Sequence, residues 1–324
     1  MKVVTVGTSK ICELLISGFK ETGIDVFACC GRDEERAKQF ALKNGVKYHA
    51  SNYDAVLSSN IFDTVYLAIP NSLHYEYAKK AILNNKNVIC EKPLASNFNE
   101  AKELVSLANE HKVFLFDGIT TFHNLAYKQL RDDIKLLGKI STIDISYSKY
   151  SSKFDAFLND LPASTLDPKM SGGALMDLGV YNIAFILGLF GLPKALKYYP
   201  NMQKGIDISG FSILQYEDFL VSSLAGKDAN GGFYFTIRGQ KGYIECKQAS
   251  NTFNEYMIYL NDGSSRERSY VSKTKYFYEL CDFKSMFEYK NIRKNNEYLT
   301  LSLMYMKVLD ELRSSAGIVF EADK

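Results

Sequence analysis

The residues of this chain best suited to moving a proton are Lys92, Tyr181 and Asp177. Lys92 stands in Cys90-Glu91-Lys92-Pro93, directly after an apolar run, and Pro93 disfavours helical geometry at the residue before it. A lysine held extended in this way can aim its ammonium at a hydroxyl or carbonyl oxygen. Tyr181 closes Ser171-Gly172-Gly173-Ala174-Leu175-Met176-Asp177-Leu178-Gly179-Val180-Tyr181, a glycine-rich lead-in to a helix. Asp177 and Tyr181 are four positions apart and so share one helix face. A phenol with an unperturbed pKa of about 10 donates a proton more readily near neutrality when an ammonium favours its ionised form, and Asp177 is placed to orient either partner. Each segment also has a plainer reading. Lys92 can be a surface lysine ahead of a proline that separates strand from helix, and the glycines can serve close packing beside one of 22 tyrosines.

A second set of residues suits a dinucleotide. The first apolar run ends in Gly7-Thr8-Ser9-Lys10-Ile11-Cys12, where a dinucleotide fold places glycines at the first, third and sixth positions. Only the first is glycine. Ser9 still allows the backbone to approach a pyrophosphate at a helix N-terminus, and Cys12 is small enough for close helix-to-strand packing. The second apolar run ends in Cys30-Gly31-Arg32 without the carboxylate that an NAD-selective site uses on the ribose hydroxyls. Arg32 instead offers planar, paired donors to a 2′-phosphate, so NADP is the preferred cofactor and NAD the alternative. The plainer reading is an ordinary strand-turn-helix connection and an exposed arginine opening a helix beside Asp33 and Glu34.

These residues need elements that hold them at sheet ends. Up to about Gly118, short β-branched runs alternate with longer helical patterns, the signature of βαβ units around a parallel sheet. Strands are expected at Lys2 to Val6, Asp25 to Cys30, Thr64 to Ile69, Asn87 to Cys90 and Val113 to Phe116, with helices over Asp33 to Lys43, Ser72 to Leu83 and Asn97 to His111. A helical stretch from Phe122 to Leu136 then leads into an alternating run, Ile140 to Tyr150. Further runs at Ala195 to Tyr199, Phe211 to Tyr216, Leu220 to Leu224, Phe233 to Arg238, Gly242 to Cys246 and Tyr256 to Leu260 imply a largely antiparallel sheet. The turn-prone Lys227 to Gly232 suits a hairpin, and helices over Lys275 to Glu288 and Glu297 to Ser314 close the chain. The expected fold is α/β: an N-terminal Rossmann domain with a doubly wound parallel sheet, residues 1–119, and a C-terminal α+β domain, residues 120–324.

The bulk composition narrows the partners. Lys and Arg number 39 against 37 acidic residues, so no broad field draws the chain to nucleic acid or anionic lipid, and a small molecule is the expected ligand. The six cysteines form no CxxC pair and mostly sit in apolar runs, as reduced cytoplasmic thiols do. Met1 to Val6 is too short for a signal peptide, and the apolar Ala174 to Gly191 carries Asp177 and Asn182, so it reads as a buried helix, not a membrane span. His49 and His111 lack the neighbours a metal site needs, and no metal is expected.

Four segments in order, Gly7 to Cys12, Ile69-Pro70-Asn71-Ser72-Leu73-His74, Glu91-Lys92-Pro93 and Gly172 to Tyr181, resemble the glucose-fructose oxidoreductase / inositol dehydrogenase / MocA family. Tyr181 resembles the branch that includes dihydrodiol and aldose-type dehydrogenases, because many relatives carry histidine there. The resemblance implies that Lys92 and Tyr181 are catalytic with Asp177 in support, and that Asn71, His74 and Glu91 line the nicotinamide end beside Pro70. It also implies a homodimer or homotetramer paired through the second sheet. Ser9 and Cys12 depart from the glycine pattern. Asp117-Gly118-Ile119-Thr120-Thr121-Phe122-His123-Asn124 lacks the arginine and proline of relatives, which leaves His123 and Asn124 as candidate substrate contacts. The expected activity is hydride transfer between a nicotinamide cofactor and a sugar, diol or related carbonyl compound. Its rivals are a catalytically silent dinucleotide-binding sensor and a reductase of a non-sugar substrate such as an imine.

Overall fold

β-Branched runs that are buried on both faces can only be the inner strands of a sheet covered on two sides, and the first part of the chain builds such a sheet. The computed structural model describes residues 1–271 and 273–324. It divides into two units, one of Met1–Gly118 with Lys273–Leu303, the other of Ile119–Ser272 with Met304–Lys324.

The first unit alternates β1 (Lys2–Val6), α1 (Lys10–Glu21), β2 (Asp25–Cys30), α2 (Glu34–Lys43), β3 (Tyr48–Ala50), α3 (Tyr53–Leu57), β4 (Thr64–Leu67), α4 (His74–Leu83), β5 (Asn87–Glu91), α5 (Phe98–His111) and β6 (Leu115–Gly118). The six strands are parallel in the order β3-β2-β1-β4-β5-β6, so the order reverses between β1 and β4. Ligands of such sheets bind at the carboxyl ends of the strands beside that reversal. Ser9, Asp33 and Asn97 cap α1, α2 and α5 by accepting from Cys12, Arg36 and Glu100 backbone N–H groups.

The second unit contains α6 (Leu125–Asp133), β7 (Ile140–Ser148), α7 (Phe154–Leu158), α8 (Val180–Phe190), β8 (Ala195–Gln203), β9 (Ile206–Gln215), β10 (Leu220–Gly226), β11 (Gly232–Gly239), β12 (Gly242–Cys246), β13 (Glu255–Leu260) and β14 (Ser265–Ser269). Its eight strands run β14-β13-β12-β11-β7-β10-β9-β8, antiparallel except for β7 beside β10. The apolar helix α8 is buried on one face of this sheet, with Phe185 against Phe235 at 4.8 Å and Asn182 donating to the Leu224 carbonyl. The segment Pro168–Phe190 is long and apolar enough to cross a membrane, yet most of it is buried inside this unit.

Two expectations are corrected. Lys227 to Gly232 is not a hairpin, because β7 lies between β10 and β11. The loop instead wraps the end of β7: Lys149 N–H donates to Gly226, Ser151 N–H to Lys227 and Gly231 N–H to Ser148. The helix α9 (Phe277–Glu288), placed with the second domain by its position in the chain, packs in the first unit. There Leu280, Phe283 and Met286 join the core of Phe19, Tyr66 and Phe116, with Phe283 stacked on Phe116 at 4.7 Å. The final helix α10 (Ile292–Ser315) contributes to both units.

Candidate active site

The end of β1 turns at Gly7, whose φ of +116° lies in the left-handed region. A Cβ there would stand 2.3 Å from the Ala68 carbonyl oxygen, so only glycine lets β1 and β4 converge. Gly7 N–H donates to Cys30 at 2.8 Å and ties the ends of β1 and β2 together. Ser9, Lys10 and Ile11 are exposed at the start of α1, and Glu13, the acidic residue of that first turn, is paired with Lys43 at 3.0 Å. Thr8 packs its methyl group towards Gly31, where an added Cβ would approach within 3.2 Å. Arg32 is exposed one residue beyond and makes no ion pair among the described residues. Its acidic neighbours are engaged elsewhere, Asp33 in capping α2 at 2.8 Å and Glu34 with His49 at 3.1 Å. A glycine-only approach, an open helix N-terminus and an uncommitted guanidinium together fit a dinucleotide carrying a 2′-phosphate.

Further along the same sheet edge, His74 braces two turns. Its Nδ1 lies 2.8 Å from the Pro93 carbonyl oxygen and its Nε2 3.0 Å from that of Ile69. Burial pulls its pKa below the usual histidine value against the pull of both carbonyls, so a neutral ring donates to one of them. His74 has no exposed surface, and it fastens the Ile69-Pro70-Asn71 turn to Lys92-Pro93. Glu91 is likewise buried: its Oε1 accepts from the Tyr66 hydroxyl at 2.9 Å, and burial raises its pKa while Lys275 and Lys92 oppose the rise. Lys92 is the one residue of 91–97 that is not buried, and the Lys92–Pro93 peptide is cis. Pro70 and Asn71 are half-buried on the neighbouring turn.

The second unit brings Asp177 and Tyr181 together on a different scaffold. Gly172 packs on the Thr165 backbone, where a Cβ would come within 2.9 Å, and Gly173 has φ +112° with Asp207 Oδ1 2.0 Å from its would-be Cβ. Asp207, which the sequence reading missed, caps the helix start. Its Oδ2 accepts from Leu175 N–H at 2.7 Å and from the Tyr198 hydroxyl at 2.8 Å. Burial pushes its pKa up to about 6, with the Leu175 N–H opposing. A π-helical turn, Leu175–Gly179, then carries Asp177, whose Oδ2 accepts from Lys227 Nζ at 2.5 Å. Lys227 is 1% exposed and also donates to the Thr165 carbonyl at 2.9 Å.

Tyr181, 4% exposed, stacks on Tyr147 of β7 with ring centres 5.7 Å apart and planes 19° apart. Burial pushes the Tyr147 phenol up to about 12, and the Asp177 charge pushes the same way while Asn251 opposes. Tyr147 is therefore the common neighbour of Asp177 and Tyr181. Tyr147 and Lys227 were also missed; an unbroken polar residue in an alternating strand and a lysine in a turn-prone loop carry little local signal. His123 is buried on a short helical turn, Thr120–His123. Asn124 caps α6 through Oδ1 and donates from Nδ2 to the Phe253 carbonyl at 2.7 Å, so both ends of its amide hold local structure.

Residues 1–119 match the model of an oxidoreductase family with an NAD-binding Rossmann fold, GFO/IDH/MocA, and residues 127–245 match the C-terminal domain of the same family. The chain is 31% identical to the scyllo-inositol 2-dehydrogenase (NADP(+)) of Bacillus subtilis over 92% of its length and 91% of that enzyme's. It is 25% identical to the trans-1,2-dihydrobenzene-1,2-diol dehydrogenase of Xenopus tropicalis, covering 91% of each. A 3-ketoreductase of Actinomadura kijaniata, solved with NADP and TDP-benzene, superposes with a TM-score of 0.82 at 20% identity over 97% of both chains. The fold, the order of the four motifs and these likenesses place the chain in the GFO/IDH/MocA family of oxidoreductases.

Proposed function

We propose that this protein is an NADP-linked dehydrogenase of sugars, cyclic polyols or related diols, working in either direction on a CH–OH group. The observation that carries the reading is Tyr181 stacked on Tyr147, a phenol that feels the charge of the ion-paired Asp177. Gly7, Thr8, Ser9, Lys10 and Ile11 would hold the pyrophosphate, Arg32 the 2′-phosphate, and Pro70, Asn71 and Lys92 the nicotinamide end, with His74 and Glu91 fixing those turns from behind. Bound there, the nicotinamide ring supplies the acceptor or donor of hydride. Tyr181 takes the hydroxyl proton in oxidation and returns it to the carbonyl oxygen in reduction. In the first unit Lys92 can offer its ammonium to a substrate hydroxyl or carbonyl oxygen, and in the second unit Asp177 orients the phenol.

The relatives named above act on an inositol and a dihydrodiol, which supports a polyol or diol substrate here. Purified protein is therefore expected to reduce NADP+ with scyllo-inositol, D-xylose or a vicinal diol, and to prefer NADP+ over NAD+. Arg32→Ala should weaken NADPH far more than NADH in a fluorescence titration. Equal loss for both cofactors would make Arg32 structural, and cofactor binding without turnover across the panel would favour a sensor. The free cysteines, five of them buried, suit a reduced compartment, and we place the protein in the cytoplasm.

We also propose a homodimer, or a dimer of such dimers, built on the sheet of the second unit. Pairing across β8, β9, β10, β7 and β11 puts Tyr199, Phe211, Leu224, Ser146 and Tyr234 in one row on the face away from α8. Tyr199 is 60% and Phe211 49% exposed, an apolar band that a second copy would cover. Light scattering at micromolar concentration should give at least twice the chain mass, and Phe211→Asp should lower it. A wild-type protein that scatters as a monomer overturns this assembly.

A further inference from the structure

Burying a lysine ammonium costs free energy unless charge and hydrogen bonds compensate it, so a fully enclosed lysine marks a place where its charge is used. Lys227 is such a residue. The loop that carries it is anchored from both sides, by Lys227 N–H to the Ile208 carbonyl and Ser151 N–H to the Lys227 carbonyl, each at 2.8 Å. Its ammonium meets Asp177 at 2.5 Å and Thr165 at 2.9 Å. Packing alone would be served as well by methionine.

We propose that Lys227 is a positioning residue that balances the Asp177 charge beside the Tyr147–Tyr181 stack and so sets the pH at which Tyr181 exchanges its proton; this rests on the reading of Tyr181 as the proton carrier. The ionisable groups around it come from five places. Asp177 faces Lys227 from the π-turn, Tyr147 of β7 feels the Asp177 charge, and Asp207 of β9, with Tyr198 of β8 bound to its carboxylate, feels that of Lys227. Asp228, next in the loop, is turned to the Ser209 hydroxyl at 3.0 Å. Asp207 also feels the Lys227 charge, which works against its burial. The sign follows directly. A carboxylate near a phenol disfavours the phenolate, and a cation paired with that carboxylate offsets the effect. Without the cation, Tyr181 should give up its proton only at higher pH.

The test is a titration of the full-length protein carrying tyrosine isotope-labelled at the phenol carbon, with the Tyr181 resonance assigned by its loss in Tyr181→Phe. In Lys227→Gln, which keeps a donor for Thr165 and Asp177 but not the charge, the Tyr181 step should move to higher pH by about one unit. Lys227→Arg should titrate like wild type. The low-pH limb of kcat/KM for polyol oxidation should move with the resonance. A Tyr181 step that stays in place while Lys227→Gln merely melts lower would overturn the proposal and leave Lys227 as a structural clamp. If the resonance moves but Tyr181→Phe keeps the wild-type kinetic limb, Lys227 does set the phenol and it is the role of Tyr181 in the reaction that fails. Should Lys227→Gln be too unstable, Asp177→Asn is compared with Asp177→Asn/Lys227→Met. Removing the lysine in that background should again raise the Tyr181 step, and no difference between the two would overturn the proposal.

Discussion

Lys92→Met and Tyr181→Phe are each expected to lower turnover by about 10²–10⁴, the contribution of a positioned acid or base, while NADPH binding and thermal stability stay close to wild type. Methionine keeps the apolar stem of Lys92 in a turn whose neighbours are all buried, so the turn has no reason to rearrange. Phenylalanine keeps the ring of Tyr181 stacked 5.7 Å from Tyr147 and removes only the hydroxyl. The two losses should not add. Groups that act as a unit in one reaction forfeit most of their joint effect when either is removed, so the double variant should be little slower than the slower single one. If both were packing residues, activity would instead follow the melting temperature, and the double variant would lose the sum. Steady-state kinetics on the three proteins beside melting curves separates these outcomes. Near-normal turnover in well-folded Lys92→Met would remove the lysine from the reaction.

What was legible in the sequence was what neighbours in sequence decide. The inner strands of the first unit announce themselves as β-branched runs because they are buried on both faces, and β2 was bounded at the same two residues that the fold uses. The three-residue β3 and the edge strand β14, Ser-Arg-Glu-Arg-Ser, were not seen, since an exposed edge needs no apolar alternation. The helix α9 was found but given to the wrong partner, because its apolar face says that it packs and not on what. The same rule holds for the candidate site residues. Gly7, Lys92, Asp177 and Tyr181 sit in compact motifs. Lys227 reaches Asp177 from 50 positions away and Asp207 reaches Leu175 from 32, through pairings that only the closed sheet creates.

Gly173→Ala should be strongly damaging to the second unit. The left-handed φ of +112° already disfavours any side chain, and the new Cβ would fall 2.0 Å from Asp207 Oδ1. That carboxylate cannot simply swing away, because its other oxygen holds Leu175 N–H at 2.7 Å and the Tyr198 hydroxyl at 2.8 Å, all buried. Losing both bonds and straining the backbone should cost about 3–6 kcal/mol. Gly191 provides the control: its φ is +73° but nothing lies within 4 Å of an added Cβ. Gly191→Ala should therefore carry only the conformational penalty of a glycine-only backbone region, about 1–3 kcal/mol. At about 2–4 °C per kcal/mol for a unit of this size, the two variants should be separated in a melting experiment. The first unit should still bind NADPH in Gly173→Ala, since the damage lies elsewhere. The cause is checked by adding Asp207→Ala. If the carboxylate is the obstacle, the double variant should be more stable than the sum of the single losses allows, by at least about 1 kcal/mol. Strict additivity would instead place the whole penalty in the backbone of Gly173 and free Asp207 from its part in shaping the helix start that presents Asp177 and Tyr181.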